Sequence, residues 1–209
     1  MSEHDEKPLM PDPAAPIGVI LAGGVGVRIG GSKAIVELHG RPLISYPCEA
    51  MRRALSTVVV VAKADTELPS LPGATVWVEP QSVSHPLIGL RHALAVAEGR
   101  PVVVCPVDLP FVTAEVIREL AQADPGPAPA IVAAAEGRVQ PLLGCYQPAC
   151  AEPLAARGRE PDVPVREAVA ALGAALLEVD PLTLFNVNSP DDLLQAAAML
   201  DRMPAPTRM

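Results

Sequence analysis

Ile17-Gly-Val-Ile-Leu-Ala-Gly-Gly-Val-Gly-Val-Arg-Ile-Gly-Gly-Ser-Lys33 decides how the rest of the chain is read. Its first residues, to Leu21, form an apolar run of the kind that makes a buried strand. The run then breaks into a loop carrying Gly23, Gly24, Gly26, Gly30 and Gly31 together with Arg28 and Lys33. Glycine admits positive φ and lets a ligand approach the backbone with no Cβ in the way. Successive N–H groups in such a turn form an anion-binding nest. Arg28 adds a fork of donors suited to phosphate, and Lys33 adds a point charge. The segment reads as a loop built to hold a polyphosphate.

Two commoner phosphate loops do not fit. In a dinucleotide fingerprint G-x-G-x-x-G, Gly24 and Gly26 match but the third glycine falls on Ile29. A Walker A loop needs G-x-x-x-x-G-K-[ST]; Gly26 and Gly31 have that spacing, yet Ser32-Lys33 reverses the required order. A plain flexible turn would not explain why both cations sit inside the loop.

Composition narrows the class. A chain of 209 residues fits one ordinary domain. Half of it is hydrophobic and only 2% aromatic, so the core must be built from Ala, Val, Leu and Ile. No segment approaches the run of about 18 uncharged apolar residues that spans a membrane. Met1-Ser-Glu-His-Asp-Glu-Lys-Pro8 lacks the pattern of a signal peptide, which makes a cytoplasmic protein the expectation. Cys48, Cys105, Cys145 and Cys150 form no CxxC pair and have no zinc spacing to histidine; Cys105 and Cys145 read as packed thiols. A net charge of −8 argues against nucleic acid and anionic membranes as partners. An anionic nucleotide must then be drawn in by local cations.

Residues 1–15 and 203–209 read as flexible tails around a single domain at 16–202. Between them apolar runs suited to parallel strands fall at Ile17–Leu21, Thr57–Ala62, Thr75–Val78 and Val102–Cys105. Helical patterns fall at Leu43–Leu55, Leu87–Ala97 and Thr113–Ala123, with Thr113 as N-cap. Two further strands are predicted at Ala130–Ala134 and Pro141–Tyr146, a half-buried helix at Ala168–Leu176 and a short last strand at Leu184–Val187. Ser189-Pro190 opens a final helix with serine as N-cap and proline at N1. Alternation of this kind predicts a three-layer α/β domain with its ligand at the carboxyl ends of the strands. That rule sets the glycine loop beside Asp108, which follows the Val102–Cys105 strand between Pro106 and Pro110. Asp108 reads either as a turn aspartate bonding its own backbone or as a carboxylate for Mg²⁺.

The glycine segment also resembles L-A-G-G-x-(x)-x-R-x-G-x-x-K, the signature of sugar-nucleotide-transferase-like nucleotidyltransferases. Pro86-Leu-Ile-Gly89, Cys105-Pro-Val-Asp-Leu-Pro110 and Phe185-Asn-Val-Asn-Ser-Pro-Asp-Asp-Leu193 extend the resemblance to molybdenum cofactor guanylyltransferases over about residues 17–200. It implies a Rossmann-like three-layer fold with a mostly parallel sheet. It also implies a Mg²⁺-dependent enzyme that transfers GMP from GTP to molybdenum-bound molybdopterin. Transient contacts with other cofactor-biosynthesis proteins and molybdoenzyme chaperones go with that role. The alternatives are a relative using CTP or another phosphorylated acceptor, and a catalytically idle nucleotide-binding adaptor.

The implied catalytic residues are Arg28, Lys33 and Asp108. The implied nucleotide site adds Leu21, Ala22, Gly23, Gly24, Gly26, Glu79, Pro86 and Gly89. The metal falls to Asp108, with Asn188 as a second neighbour. Asn186 and Asn188 are expected to face the site, and Gln140 to border the acceptor. His85 and His92 read as surface or helix-face residues rather than bases, and Arg91 and Arg166 as candidate contacts for an anionic acceptor. The chain departs from the family pattern in its short Gly31–Lys33 spacing, in His85 before the Pro-Leu-x-Gly segment, and in Pro80 where an aspartate near the guanosine is usual. With proline there, guanine is expected to be read by Glu79 or by carbonyls near Leu21 and Ala22.

Overall fold

The computed structural model describes residues 14–26, 31–80, 85–157 and 163–203. The chain opens with β1 (Ile17–Leu21), then two short hairpins, β2 (Val25–Gly26) with β3 (Gly31–Ser32) and β4 (Glu37–Leu38) with β5 (Arg41–Pro42). There follow α1 (Ser45–Ala54), β6 (Val58–Ala62), β7 (Thr75–Val78), α2 (Pro86–Val96), β8 (Val102–Pro106) and α3 (Ala114–Gln122). The second half holds β9 (Ala130–Ala135), β10 (Arg138–Tyr146), α4 (Ala151–Arg157), α5 (Val165–Ala170), β11 (Ala175–Glu178) and α6 (Pro190–Arg202).

Among the described residues seven strands form one sheet in the order β11-β9-β10-β8-β1-β6-β7. β7, β6, β1 and β8 run parallel; β10 is antiparallel to both of its neighbours, and β11 rejoins parallel to β9. The sequence explains the contrast. Val58–Ala62 and Val102–Pro106 are apolar at every position and buried at every position, as a strand covered on both faces must be. β10 reverses because Glu136 and Gly137, at φ 52° and 76°, make a two-residue turn between it and β9. Both residues are left-handed, the arrangement that matches the twist of a tight hairpin.

The core has two faces. Ile44, which precedes α1, Cys48 and Met51 of α1, and Ile117 and Leu120 of α3 pack on one side of the sheet with Ile20, Val60 and Cys105. Leu87, Leu90 and Leu94 of α2, Leu154 of α4 and Val169 of α5 pack on the other with Val19, Val61 and Val104. A smaller cluster joins Leu38, Leu43 and Phe111 to Val187 and Ala196, fastening α6 beside the β4–β5 hairpin. This is the three-layer, mostly parallel α/β fold that the sequence predicts. All four cysteines are buried as free thiols.

Two expectations fail. Ala168–Leu176 is not one helix: α5 ends at Ala170, Gly173 turns the chain at φ 68°, and Ala175–Glu178 is an edge strand. The apolar run is continuous, but glycine in the left-handed region ends a helix rather than continuing it. Leu184–Val187 is not a strand either. Asp180 caps a 3₁₀ turn at Pro181–Leu184, and the Val187 N–H donates to the Asp108 carbonyl (2.9 Å) instead of a ladder. The tail expectations for 1–13 and 204–209 lie outside the described residues. Ala15 is tied down, its carbonyl accepting from Arg100 Nε and Nη2 at 2.9 and 2.7 Å.

Candidate active site

Four parallel strands, β7, β6, β1 and β8, end at one edge, and a cavity opens there. Its walls include Leu21, Val61, Pro106 and Asp108 from the strand ends, Gly23, Gly24 and Lys33 from the glycine segment, and Pro86 and Gly89 from α2. Parallel packing causes this: each strand exits toward the same side and its following loop must turn there.

Within the glycine segment two short strands pair antiparallel. Val25 pairs with Ser32 and Gly26 with Gly31, so the chain returns on itself and delivers Lys33 one residue past the ladder. Arg28, assigned a catalytic role from the sequence, lies outside the described residues. Lys33 Nζ donates to Asp108 Oδ2 at 2.8 Å and to Asn188 Oδ1 at 2.6 Å. The Lys33 and Asp108 side chains are each only 16% exposed, so this ion pair is largely withdrawn from water.

Three separate segments are fixed to make that meeting. The Val107 N–H donates to the Leu21 carbonyl (3.2 Å), tying the Asp108 loop to β1. The Asp108 carbonyl takes the Val187 N–H. Asp192 Oδ2 accepts from the backbone N–H of Asn188 and of Ser189, at 3.0 and 2.9 Å. Ser189 Oγ in turn accepts from the Asp192 N–H, a reciprocal cap that fixes how the chain enters α6. The Ser189 hydroxyl, which also donates to Asp192 Oδ2 at 2.8 Å, and the two backbone N–H groups hold the Asp192 carboxyl below the ordinary range, the hydroxyl first among the causes.

The other end of the cavity is different. Glu79, one residue past β7, is buried at 7% exposure against Gly23 and Gly89. A Cβ on Gly23 would collide with the Glu79 carboxylate, and one on Gly89 would lie 3.3 Å from Glu79 Oε2 and 3.2 Å from Leu21 Cδ2. Burial pushes the Glu79 carboxyl up, and the nearby Lys63 charge partly opposes it. Of the two properties that suit glycine here, positive φ is used by neither Gly23 nor Gly24, whereas the missing Cβ matters at Gly23. Gly23 is required by space, for a carboxylate.

The remaining assignments divide. Ala22 is buried, its N–H bonded to the Val61 carbonyl at 2.8 Å. His85 is half-buried: it lines the cavity and caps α2, Nδ1 accepting from the Leu87 N–H at 3.3 Å. Gln140 Nε2 donates to Asn186 Oδ1 at 3.3 Å, and its register break on β10 brings Leu142 to the cavity wall. Arg91 and His92 face a second cavity, between α2 and α4, away from Lys33 and Asp108. Burial holds the His92 imidazole below its ordinary pKa. Arg166 is exposed on α5. Val61 and Lys63 were missed by the sequence reading, although the carboxyl-edge rule applied to Val58–Ala62 points to both. Nothing in the sequence singles out Leu142.

A glycine segment, a lysine–aspartate pair and a buried carboxylate thus meet at the carboxyl edge of a parallel sheet. Residues 18–176 match the family model of the MobA-like NTP transferase domain. A molybdenum cofactor guanylyltransferase of Cereibacter sphaeroides is 37% identical over 88% of this chain and 96% of its own. The crystal structure of molybdopterin-guanine dinucleotide biosynthesis protein A from Archaeoglobus fulgidus superposes with a TM-score of 0.72 at 22% identity, over 90% of this chain and all of that one. That of 2-C-methyl-D-erythritol 4-phosphate cytidylyltransferase from Thermus thermophilus gives 0.64 at 25% identity, over 89% and 99%. The chain belongs to the MobA-like NTP transferases, in the family of molybdenum cofactor guanylyltransferases. Among the described residues no helix is long and apolar enough to cross a membrane.

Proposed function

We propose that this protein transfers GMP from GTP to the terminal phosphate of molybdenum-bound molybdopterin. An acceptor phosphate oxygen bonds to the α-phosphorus, the bond from that phosphorus to the β-bridging oxygen breaks, and pyrophosphate leaves. The acceptor is already ionised, so no nucleophile on the protein has to be activated. What remains is positioning and neutralisation of charge on the transferring group. The observation that carries this reading is the meeting of Lys33, Asp108 and Asn188 at one point of the carboxyl edge, beside the slot that ends at Glu79.

Lys33, with Arg28, takes the β- and γ-phosphates in this reading, and the Gly23–Gly24 backbone lies along them. The Asp108 and Asn188 oxygens converge on a single atom, and they are hard donors from a carboxylate and an amide. Such a pair suits Mg²⁺, which takes one or two carboxylates and completes its shell with phosphate oxygens and water. Bound there by Asp108 and Asn188, Mg²⁺ would polarise the α-phosphate. Glu79 supplies two acceptor oxygens for guanine N1–H and N2–H₂. The Leu21 carbonyl accepts from Val107 and has one lone pair left for a base, whereas Glu79 brings two carboxyl oxygens. The likeness to a cytidylyltransferase keeps CTP as the rival nucleotide.

Pyrophosphate release measured with each triphosphate, with and without molybdenum-molybdopterin, tests the proposal. Release is expected with GTP and Mg²⁺ and only when the acceptor is present. Release with CTP in preference to GTP would overturn the guanylyl assignment, and release indifferent to the acceptor would overturn the transfer.

A further inference from the structure

Asp108 Oδ2 and Asn188 Oδ1, the two oxygens suited to a metal, both accept from the same ammonium, at 2.8 and 2.6 Å. Mg²⁺ binds its oxygens at about 2.0–2.1 Å. A dication that close to both oxygens would lie no more than about 5 Å from Lys33 Nζ, and a single and a double positive charge repel strongly at that range in a site withdrawn from water. The backbones behind the two oxygens cannot step aside, because Asp192 holds residues 188 and 189 and the Val187 N–H holds the Asp108 carbonyl. Lys33 can. Its four-carbon stem lets Nζ travel several ångströms while the β2–β3 hairpin behind it stays in place.

We propose that Lys33 is a tethered counter-cation of the metal cradle: its ammonium and a divalent cation exclude each other at Asp108 and Asn188, and a triphosphate opens the cradle by drawing Lys33 onto its own oxygens. The inference rests on the reading of Asp108 as the metal carboxylate. One side chain then does two things in sequence. It neutralises the carboxylate before substrate arrives, and it joins the phosphate clamp afterwards. Free metal binds the chain weakly, and metal enters together with the nucleotide.

The test is Mn²⁺ binding to the full chain without nucleotide, followed by the electron paramagnetic resonance of free Mn²⁺. Lys33→Met is expected to bind Mn²⁺ at least about tenfold tighter than the wild type, because it frees two oxygen donors and removes a competing charge. Adding Asp108→Asn to it should erase the gain. Equal affinity in wild type and Lys33→Met, with loss on Asp108→Asn, would overturn the exclusion and leave Asp108 as the metal carboxylate. Mn²⁺ binding indifferent to Asp108 in both backgrounds would overturn the metal reading, and this inference with it. The wild type gives a second readout that needs no folded variant. Acetylation of Lys33 by an amine-directed reagent, mapped by mass spectrometry, should speed up as Mn²⁺ is titrated in. An unchanged rate at saturating Mn²⁺ would contradict the proposal.

Discussion

The two ends of the cleft are built on opposite electrostatic principles. At one end Lys33, Asp108 and Asn188 satisfy one another, each bonded within 2.8 Å. At the other end Glu79 is a buried carboxyl whose ionisation the protein discourages, walled by Leu21, Val61 and two glycines. The first arrangement suits phosphate and metal, whose charge can replace the internal partners one for one. The second suits a flat, neutral base offering N–H donors, because an apolar slot makes each unpaired polar group costly. Under the proposed function, the difference separates chemistry from selectivity along one cavity.

Substitutions can break that separation, and the largest effect belongs to the charged end. Asp108→Asn should abolish metal-dependent turnover, a loss of about 10³-fold or more in kcat, since an amide is a poor substitute for an anionic ligand. Nucleotide binding should persist in part by calorimetry. Normal turnover of this variant at limiting Mg²⁺ would place the metal elsewhere. Lys33→Ala should come next, losing about 10²-fold in triphosphate affinity with the fold retained. Unchanged GTP binding would remove Lys33 from the phosphate clamp.

Glu79→Gln should leave turnover with GTP largely intact but lower the GTP-to-CTP preference by about tenfold or more, the scale of one charge-assisted hydrogen bond. Its stability effect has a sign fixed by burial. A carboxyl whose folded pKa is raised favours folding below its unfolded pKa and loses that contribution as pH rises through the folded value. The melting temperature of Glu79→Gln should therefore exceed wild type at pH 8, and the gap should close as pH falls toward 4. A gap that widens on acidification would mean that Glu79 is stabilised as the anion. The smallest effect is expected from removing residues 1–13, which should shift melting by no more than about 1 °C. Arg100→Ala should cost more, because it releases the two hydrogen bonds on Ala15.

The two ends also differed in how much of them could be read beforehand. Lys33 and Asp108 were legible because each follows an apolar strand at the edge where parallel strands deliver their loops. Ser189-Pro190 was legible as a helix start, and Thr113 as an N-cap whose hydroxyl takes the Val116 N–H. The Glu79 end was legible only as a candidate position. That Gly23 serves to make room for a carboxylate depends on two segments more than fifty residues apart, and no local pattern carries such a contact. The break at Gly173 was missed for a related reason. Ala168–Leu176 is uniformly apolar, so periodicity could not tell a helix followed by an edge strand from a single helix. Asp180-Pro181 carries the same cap-and-proline signal as Ser189-Pro190, and the 3₁₀ turn it starts runs into the first residue of the expected last strand.

The division of the cleft into a transfer end and a base-reading end is tested most directly by kcat/KM for GTP and for CTP, with molybdenum-molybdopterin and Mg²⁺, in the wild type and in Glu79→Gln. A strong preference for GTP is expected in the wild type. In Glu79→Gln the preference should collapse through loss of GTP efficiency in KM, with kcat little changed. A wild type that turns over CTP as well as GTP, or a Glu79→Gln variant that keeps its preference and loses kcat, would contradict that division.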